Sequence, residues 1–201
     1  GLPLSSVIAV TISASRSGIR RWAACIRLAR VRGAIRPQSR CARAADLSTP
    51  VLKGACTALV ENQVALLNSY GVCLFHWMLD PAGYMPQEYY GKAFAAVTGI
   101  ERTPDELMQD GERICNLEKA INSRIGLRRE HDTICERWMW EPNPEGMYAG
   151  KVAADMFVPV LDEYYEWRGW DRDTGLQTRS KMRELGMDDV AEVLAADGAL
   201  A

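Results

Sequence analysis

The sequence predicts a mainly α-helical protein: an irregular helical domain that follows an atypical or poorly ordered N-terminal segment. After residue 48, apolar residues recur at helical spacing, glycines stand where the helical patterns end, and no convincing run of alternating apolar and polar residues suggests a strand. Of the 201 residues, 48% are apolar and 25% charged, which is ordinary for a globular domain with a substantial core. The sequence contains no run of about 18 apolar residues, so we expect no membrane span.

The charge distribution divides the chain near Asp46. Residues 1–45 contain nine arginines, no lysine and no acidic residue, whereas the remainder carries 15 basic and 26 acidic side chains. We therefore predict an Arg-rich segment over 1–47 and a helical domain over 48–201. Such an acid-free segment is typical of a transit peptide or a phosphate-binding arm, but the abrupt change in composition favours a disordered tail or wrong-frame translation. Because the chain begins at Gly1 without a methionine, we expect a fragment or a processed product.

The first predicted helix leads into the most distinctive turn of the chain. It begins at residues 48–50, where serine or threonine precedes a proline, and it ends near Ser69. Gly71 then stops the helix within the stretch NSYGVCLFH, residues 68–76, and Cys73 follows directly. A thiol held by a helix-ending turn suits a metal centre that takes soft ligands, although a lone cysteine beside apolar residues is more often a small buried hydrophobe.

Two further helices are predicted before residue 123. One runs from about Pro86 to Val97 and stops at Gly99. The other opens with a capping box over residues 103–106, which read Thr-Pro-Asp-Glu, and runs to about Asn122. Its buried stripe is predicted to consist of Leu107, Ile114, Leu117 and Ile121.

The C-terminal part alternates between irregular connections and short helices. Residues 123–152 are rich in glycine and proline and predict a mostly irregular connection. A helix is expected from about Pro159 to Arg168 with Gly169 as its stop, followed by two short helices over 179–185 and 189–196. The acidic residues Asp162, Glu163 and Glu166 are expected on a solvated face. The four tryptophans are expected in the core or in a domain contact rather than in a base-stacking platform: Trp138, Trp140, Trp167 and Trp170.

The cysteines and histidines do not form a recognisable metal motif by themselves. The six cysteines lack a CxxC pair, which favours a reducing compartment over a disulfide framework. Cys115 and Cys135 are expected to be packing residues, and the two histidines, His76 and His131, fit no metal triad by spacing. The residue patterns alone therefore predict a helical domain with one well-presented cysteine, and no reaction.

A succession of longer motifs resembles the C-terminal helical part of the tungsten-containing aldehyde ferredoxin oxidoreductase family. The resemblance covers residues 50–196 and does not extend into 1–47. It is carried by NSYGVC at 68–73, TPDELMQDGERICNLEKAINSRIGL at 103–127, HDTICERW at 131–138, LDEYYEWRGWD at 161–171 and TRSKMRELGMDDVAEVL at 178–194.

The resemblance implies roles for three residues of the turn. In that family the turn reads Asp-x-x-Gly-Leu-Cys, and its cysteine is the fourth ligand of a four-iron four-sulfur cluster. Cys73 is therefore expected to be the metal ligand, and Asn68 and Val72 are expected to lie on the side of the pterin cofactor. Asn68 departs from the family's aspartate and lacks the carboxylate that could accept hydrogen bonds from pterin ring nitrogens.

The resemblance also implies a function for the parent protein. That function is the oxidation of aldehydes to carboxylic acids, with ferredoxin as electron acceptor and with a tungsten (or molybdenum) pterin and an iron–sulfur cluster as cofactors. The expected setting is the cytoplasm, with ferredoxin, a small aldehyde and further copies of the chain in a homo-oligomer as partners, and without nucleic acid. Two alternatives stay open: a subunit of a tungsten-dependent aromatic acyl-CoA reductase, and a catalytically empty helical module. The other three cluster cysteines of the family lie upstream of the part that this chain resembles.

Overall fold

The computed structural model describes residues 46, 48–73, 87–146 and 148–201. Helices dominate these ranges and no β-strand forms within them, which confirms the mainly α class; two isolated bridges pair Asn143 with Ala149 and Trp170 with Gln177. No helix in the same ranges combines the length and apolar composition that a bilayer crossing requires. The helices are α1 (Lys53–Ser69), α2 (Gln87–Thr98), α3 (Pro104–Arg124), a 3-10 turn (Arg129–His131), α4 (Glu136–Trp140), α5 (Ala154–Arg168), α6 (Arg179–Glu184) and α7 (Asp188–Ala196).

The described residues divide into two compact units, and the division falls within α1, after Ala58. The first unit contains the start of α1 together with α4, α5 and the C-terminal Ala201. The second unit contains the rest of α1 together with α2, α3, α6 and α7. The Arg-rich segment over 1–45 lies outside the described residues, so the boundary near residue 48 stays a prediction.

The core of the first unit is built around the buried face of α5. Arg168 at the end of that helix is 1% exposed, so its charge requires partners. Its Nε donates to the hydroxyl of Tyr164 (3.1 Å), a terminal nitrogen donates to the carbonyl oxygen of Ala58 (3.2 Å), and the guanidinium lies 5.9 Å from the ring centroid of Trp170. The buried members of this core are Ala58, Met139, Ala154, Phe157, Leu161, Tyr164, Tyr165 and Trp170.

The start of α1 is set by a contact that the local sequence does not reveal. The predicted start at 48–50 is wrong, because the helix begins at Lys53 and Leu52 before it has a positive φ of 63°. The carboxylate of Glu163 on α5 accepts hydrogen bonds from the backbone N–H groups of Leu52 and Gly54, each at 2.8 Å. A side chain from another helix thus satisfies the first turn, in place of a local serine or threonine cap.

Two further expectations for the first unit are corrected. Helix α5 begins at Ala154 rather than at Pro159, because burial of Ala154 and Phe157 in the core extends the helix across the proline. Trp170 is buried as expected and Trp167 packs against the core. The other two tryptophans are 68% and 62% exposed, so Trp138 and Trp140 lie outside the core, and a domain contact stays a prediction for them.

The second unit contains the predicted capping box in full. Thr103 accepts a hydrogen bond from the backbone N–H of Glu106, and the Glu106 carboxylate accepts one from the backbone N–H of Thr103 at 2.8 Å. Helix α3 contacts α2 and α7, and α6 contacts α7. The buried members of this unit's core are Ala120, Met182, Leu185, Met187, Ala191, Leu194 and Ala199.

Helix α3 buries a different face from the one predicted. Leu107 is fully buried, but Leu117 is 47% and Ile121 57% exposed, so the predicted stripe is wrong beyond its first turns. The buried positions in the second half of the helix are the small or polar residues Asn116, Lys119, Ala120 and Ser123. The larger apolar residues Leu117 and Ile121 remain at the surface, so the buried face is not the most hydrophobic one.

Candidate functional site: the turn after helix α1

A glycine-based C-cap ends α1 and creates the turn that carries the candidate site. Gly71 has a φ of 69°, its N–H donates to the carbonyl oxygen of Asn68 (3.2 Å), and the N–H of Val72 donates to that of Leu67 (3.0 Å). This pair of bonds is the Schellman arrangement, which satisfies the last carbonyl groups of a helix. Because L-residues with a side chain rarely adopt such a φ, Gly71 is the residue that lets the chain leave the helix here.

The three residues predicted from the turn motif all lie at this helix end. Asn68 and Cys73 are exposed and Val72 is partly buried. The thiol of Cys73 is free, and it follows the last backbone hydrogen bond of the turn by one residue. A free and accessible cysteine can supply the thiolate that an iron–sulfur cluster requires, so the chemistry of Cys73 fits the predicted ligand role.

An aromatic pair joins this turn to helix α2. The rings of Tyr70 and Phe94 are stacked, with centroids 4.7 Å apart and planes 9° from parallel. The hydroxyl oxygen of Tyr70 is buried and has no hydrogen-bond partner among the described residues. Burial raises the pKa of Tyr70, and the nearby carboxylate of Asp110 raises it further, so this hydroxyl stays protonated at neutral pH.

Close backbone packing and an ion pair support the helices around the turn. A Cβ built on Gly91 of α2 would lie 2.6 Å from the carbonyl oxygen of Arg102, and one built on Gly111 of α3 would overlap the carbonyl oxygen of Asn62 on α1. Arg102 also donates from Nε to Asp110 at 3.0 Å. Gly111 therefore allows α3 to approach the backbone of α1, and Gly91 allows α2 to approach the residue that precedes the capping box of α3.

Among the described residues, the other histidine and cysteine side chains form no metal-binding cluster with Cys73. Within the part of the chain that the structure describes, no group of three or more His, Cys, Asp and Glu residues is arranged to hold a metal ion. Cys56 is buried and Cys115 partly buried, but Cys135 is exposed, so a packing role is wrong for Cys135. His131 is an exposed residue of the 3-10 turn whose Nδ1 accepts from the N–H of Arg128, and His76 lies outside the described residues.

Two of the acidic residues that were expected on a solvated face, Asp162 and Glu166, belong to a polar network in the first unit. Asp162 accepts hydrogen bonds from Arg129 and Arg172, each at 2.6 Å. Partial burial works to raise the pKa of Asp162, but these two hydrogen bonds outweigh it and hold the pKa below its ordinary value. The buried Tyr165 donates to Asp132 at 2.5 Å, and burial together with this bond raises the pKa of Tyr165. The network ties the 129–132 region to α5, which is a structural role.

Tyr70 and Glu163 are not predicted from the sequence as parts of these sites. An aromatic residue directly before a helix-ending glycine was the available signal for Tyr70, but its partner Phe94 lies on another helix. Glu163 gave no local signal, because its partners precede it by more than 100 residues.

The comparisons with known proteins identify the family. The family model described as "Aldehyde ferredoxin oxidoreductase, domains 2 & 3" matches residues 9–187. The chain belongs to the aldehyde ferredoxin oxidoreductase family. The matched range begins inside the Arg-rich segment and includes the whole turn at 68–73.

Curated members of the aldehyde ferredoxin oxidoreductase family align with a large part of the chain. It is 32% identical over 132 residues to the tungsten-containing aldehyde ferredoxin oxidoreductase of Pyrococcus horikoshii and 34% identical over 130 residues to that of Pyrococcus furiosus. These alignments cover 65% and 64% of the chain but 20% of each relative, so the chain spans about a fifth of their length.

A solved structure shares the fold. It is described as the active-site complex of benzoyl-coenzyme A reductase with 1,5-dienoyl-CoA, and it matches with a TM-score of 0.58 at 23% identity. The match covers 76% of this chain and 22% of that one. At this level of identity the likeness concerns the helical fold alone.

Proposed function

We propose that this chain is the C-terminal part of a tungsten-pterin and iron–sulfur oxidoreductase that oxidises aldehydes to carboxylic acids and passes the electrons to ferredoxin. The observation that carries the proposal is the exposed free thiol of Cys73, presented by a glycine-capped helix end in a family motif. The relatives' tungsten-containing aldehyde oxidoreductase names supply the reaction class.

In this proposal each residue of the turn has a distinct task. Cys73 supplies one thiolate to a four-iron four-sulfur cluster, and the other three ligands come from parts of the parent protein outside this chain. Asn68, on the exposed last turn of α1, and Val72 face the pterin. The carboxamide of Asn68 both donates and accepts hydrogen bonds, so it can pair with pterin ring atoms without a carboxylate. When bound, the tungsten centre supplies two-electron chemistry and the cluster supplies one-electron transfer.

A tungsten-dependent aromatic acyl-CoA reductase subunit is the second candidate. The observation in its favour is the shared fold with the benzoyl-coenzyme A reductase complex. Two assays of the full-length protein that contains this chain distinguish the two functions. The first uses an electron-accepting dye with aldehydes, and the second uses a reduced dye with an aromatic acyl-CoA. Dye reduction by aldehydes alone supports the first function, and dye oxidation by the acyl-CoA alone supports the second.

The cluster role of Cys73 is tested by a matched pair of substitutions in the full-length protein. Cys73→Ala removes the proposed ligand, and Cys135→Ala removes another exposed thiol from the same chain. We expect Cys73→Ala to lose the reduced-cluster EPR signal and most of the iron, and Cys135→Ala to keep both. An intact cluster in Cys73→Ala would contradict the proposal. The isolated chain supplies one of the four thiolates, so we expect it to bind no stoichiometric cluster.

A further inference from the structure

We propose that Tyr70 is a positioning residue for Cys73: its ring, stacked on Phe94, holds the turn that presents the thiol. The inference rests on the proposed role of Cys73 as a cluster ligand. It adds a residue at a position that the turn motif leaves unspecified, between Asn68 and Gly71.

The position of Tyr70 in the chain makes its ring an anchor for the turn. Its backbone N–H donates to the carbonyl oxygen of Leu66 at 3.0 Å, so its backbone still belongs to the end of α1. Gly71, with its positive φ, then ends the helix, and Cys73 follows three residues after Tyr70. A contact that fixes the side chain of Tyr70 therefore also fixes the position at which the turn begins.

The stacked pair provides a constraint that the backbone of the turn lacks. The two Schellman hydrogen bonds connect the turn only to its own helix. The ring of Phe94 belongs to α2, and a stack at 4.7 Å with an interplanar angle of 9° restricts both the distance and the tilt of the Tyr70 ring. Cys73 is exposed and gains little packing of its own, so its position depends on anchors at neighbouring residues.

The ring rather than the hydroxyl group performs this task. The hydroxyl oxygen is buried without a hydrogen-bond partner among the described residues, which is a cost rather than a gain in stability. Phenylalanine at position 70 would keep the stack and remove that cost, whereas alanine would remove the stack. This difference separates a positioning role of the ring from any role of the hydroxyl.

Helix α2 offers a matched control for the loss of a tyrosine. Tyr89 is 57% exposed, and the ammonium group of Lys92 lies 5.7 Å from its ring centroid. Tyr89→Ala therefore removes the same atoms as Tyr70→Ala, from the helix that carries Phe94, without removing the stack on the turn.

Hydrogen exchange of the Val72 amide in the 201-residue chain is the first measurement, since this amide closes the turn. We expect Tyr70→Ala and Phe94→Ala each to accelerate its exchange about threefold to tenfold, the range that one aromatic pair provides. The double variant should add little, because both changes remove one interaction. Tyr70→Phe and Tyr89→Ala should leave the rate unchanged.

Tyr70→Leu is a second variant for the case in which Tyr70→Ala does not fold. It keeps most of the apolar volume but not the flat ring, so it gives the same comparison.

The full-length protein provides the second measurement. Iron release to a chelator should be about threefold to tenfold faster in Tyr70→Ala, with a changed EPR line shape of the reduced cluster, and Tyr70→Phe should restore both. Unchanged amide exchange and iron release in Tyr70→Ala would overturn the positioning role even when Cys73→Ala loses the cluster. A cluster that survives Cys73→Ala would instead overturn the proposed ligand, whatever the Tyr70 variants show.

Discussion

The substitution Gly111→Ala tests whether close packing or helix propensity dominates in α3. Gly111 lies inside the helix, where alanine is favoured over glycine by about 1 kcal/mol. Propensity alone therefore predicts a more stable protein. The tertiary structure predicts the opposite, because a Cβ at this position overlaps the carbonyl oxygen of Asn62 and lies 2.9 Å from its carbonyl carbon.

The expected magnitude follows from what the added methyl group meets. Overpacking costs about 1–3 kcal/mol when side chains can adjust, and here the obstacle is backbone, so the upper end applies. Subtracting the gain in helix propensity leaves a loss of about 2 kcal/mol in the free energy of unfolding. For a chain of this length, that loss lowers the Tm by about 4–8 °C.

Thermal unfolding followed by circular dichroism measures this effect directly. Gln109→Ala is the control, because Gln109 is exposed on the same helix and its replacement should change stability by less than about 0.5 kcal/mol. A Tm of Gly111→Ala equal to or above that of the wild type would show that α1 and α3 do not make this close backbone contact.

Two further predictions concern Glu163 and the two faces of α3. Burial raises the pKa of Glu163 above its ordinary value of 4.5, so its contribution to stability is fully present below pH 4.5 and declines as the pH rises through the folded-state pKa. Urea midpoints between pH 4 and pH 7 should show a stability advantage of wild type over Glu163→Gln that shrinks with rising pH; a constant or growing advantage would contradict this. In α3, Leu107→Ala should cost about 2–5 kcal/mol, whereas Ile121→Glu should change the free energy of unfolding by less than about 0.5 kcal/mol. Equal losses for these two variants in urea unfolding would refute the observed burial pattern.

The helix ends that depend on neighbouring residues alone could be predicted from the sequence. The capping box at Thr103 and the helix stops at Gly71, Gly99 and Gly169 were predicted and are present, because backbone geometry and neighbouring side chains suffice to produce them. The start of α1 was not predictable in this way, since it depends on a carboxylate from α5.

The candidate site shows the same division. The position of Cys73 after a glycine-capped helix could be read from the turn motif, and its roles and those of Asn68 and Val72 remain predictions. The stack between Tyr70 and Phe94 could not be read, because a pair of aromatic residues 24 positions apart has no fixed geometry until two helices pack.

The amino-acid sequence by itself determined the helical class, most helix ends, the glycine turn that carries Cys73 and the resemblance to the family. These features follow from interactions within one turn of a helix or from motifs of neighbouring residues. Only the tertiary structure decided which side of α3 is buried, since Gly111 admits the backbone of α1 at a distance that a larger residue would exclude. Which face of a helix is buried depends on how well its surface fits the neighbouring helix as well as on hydrophobicity, and this fit involves both helices.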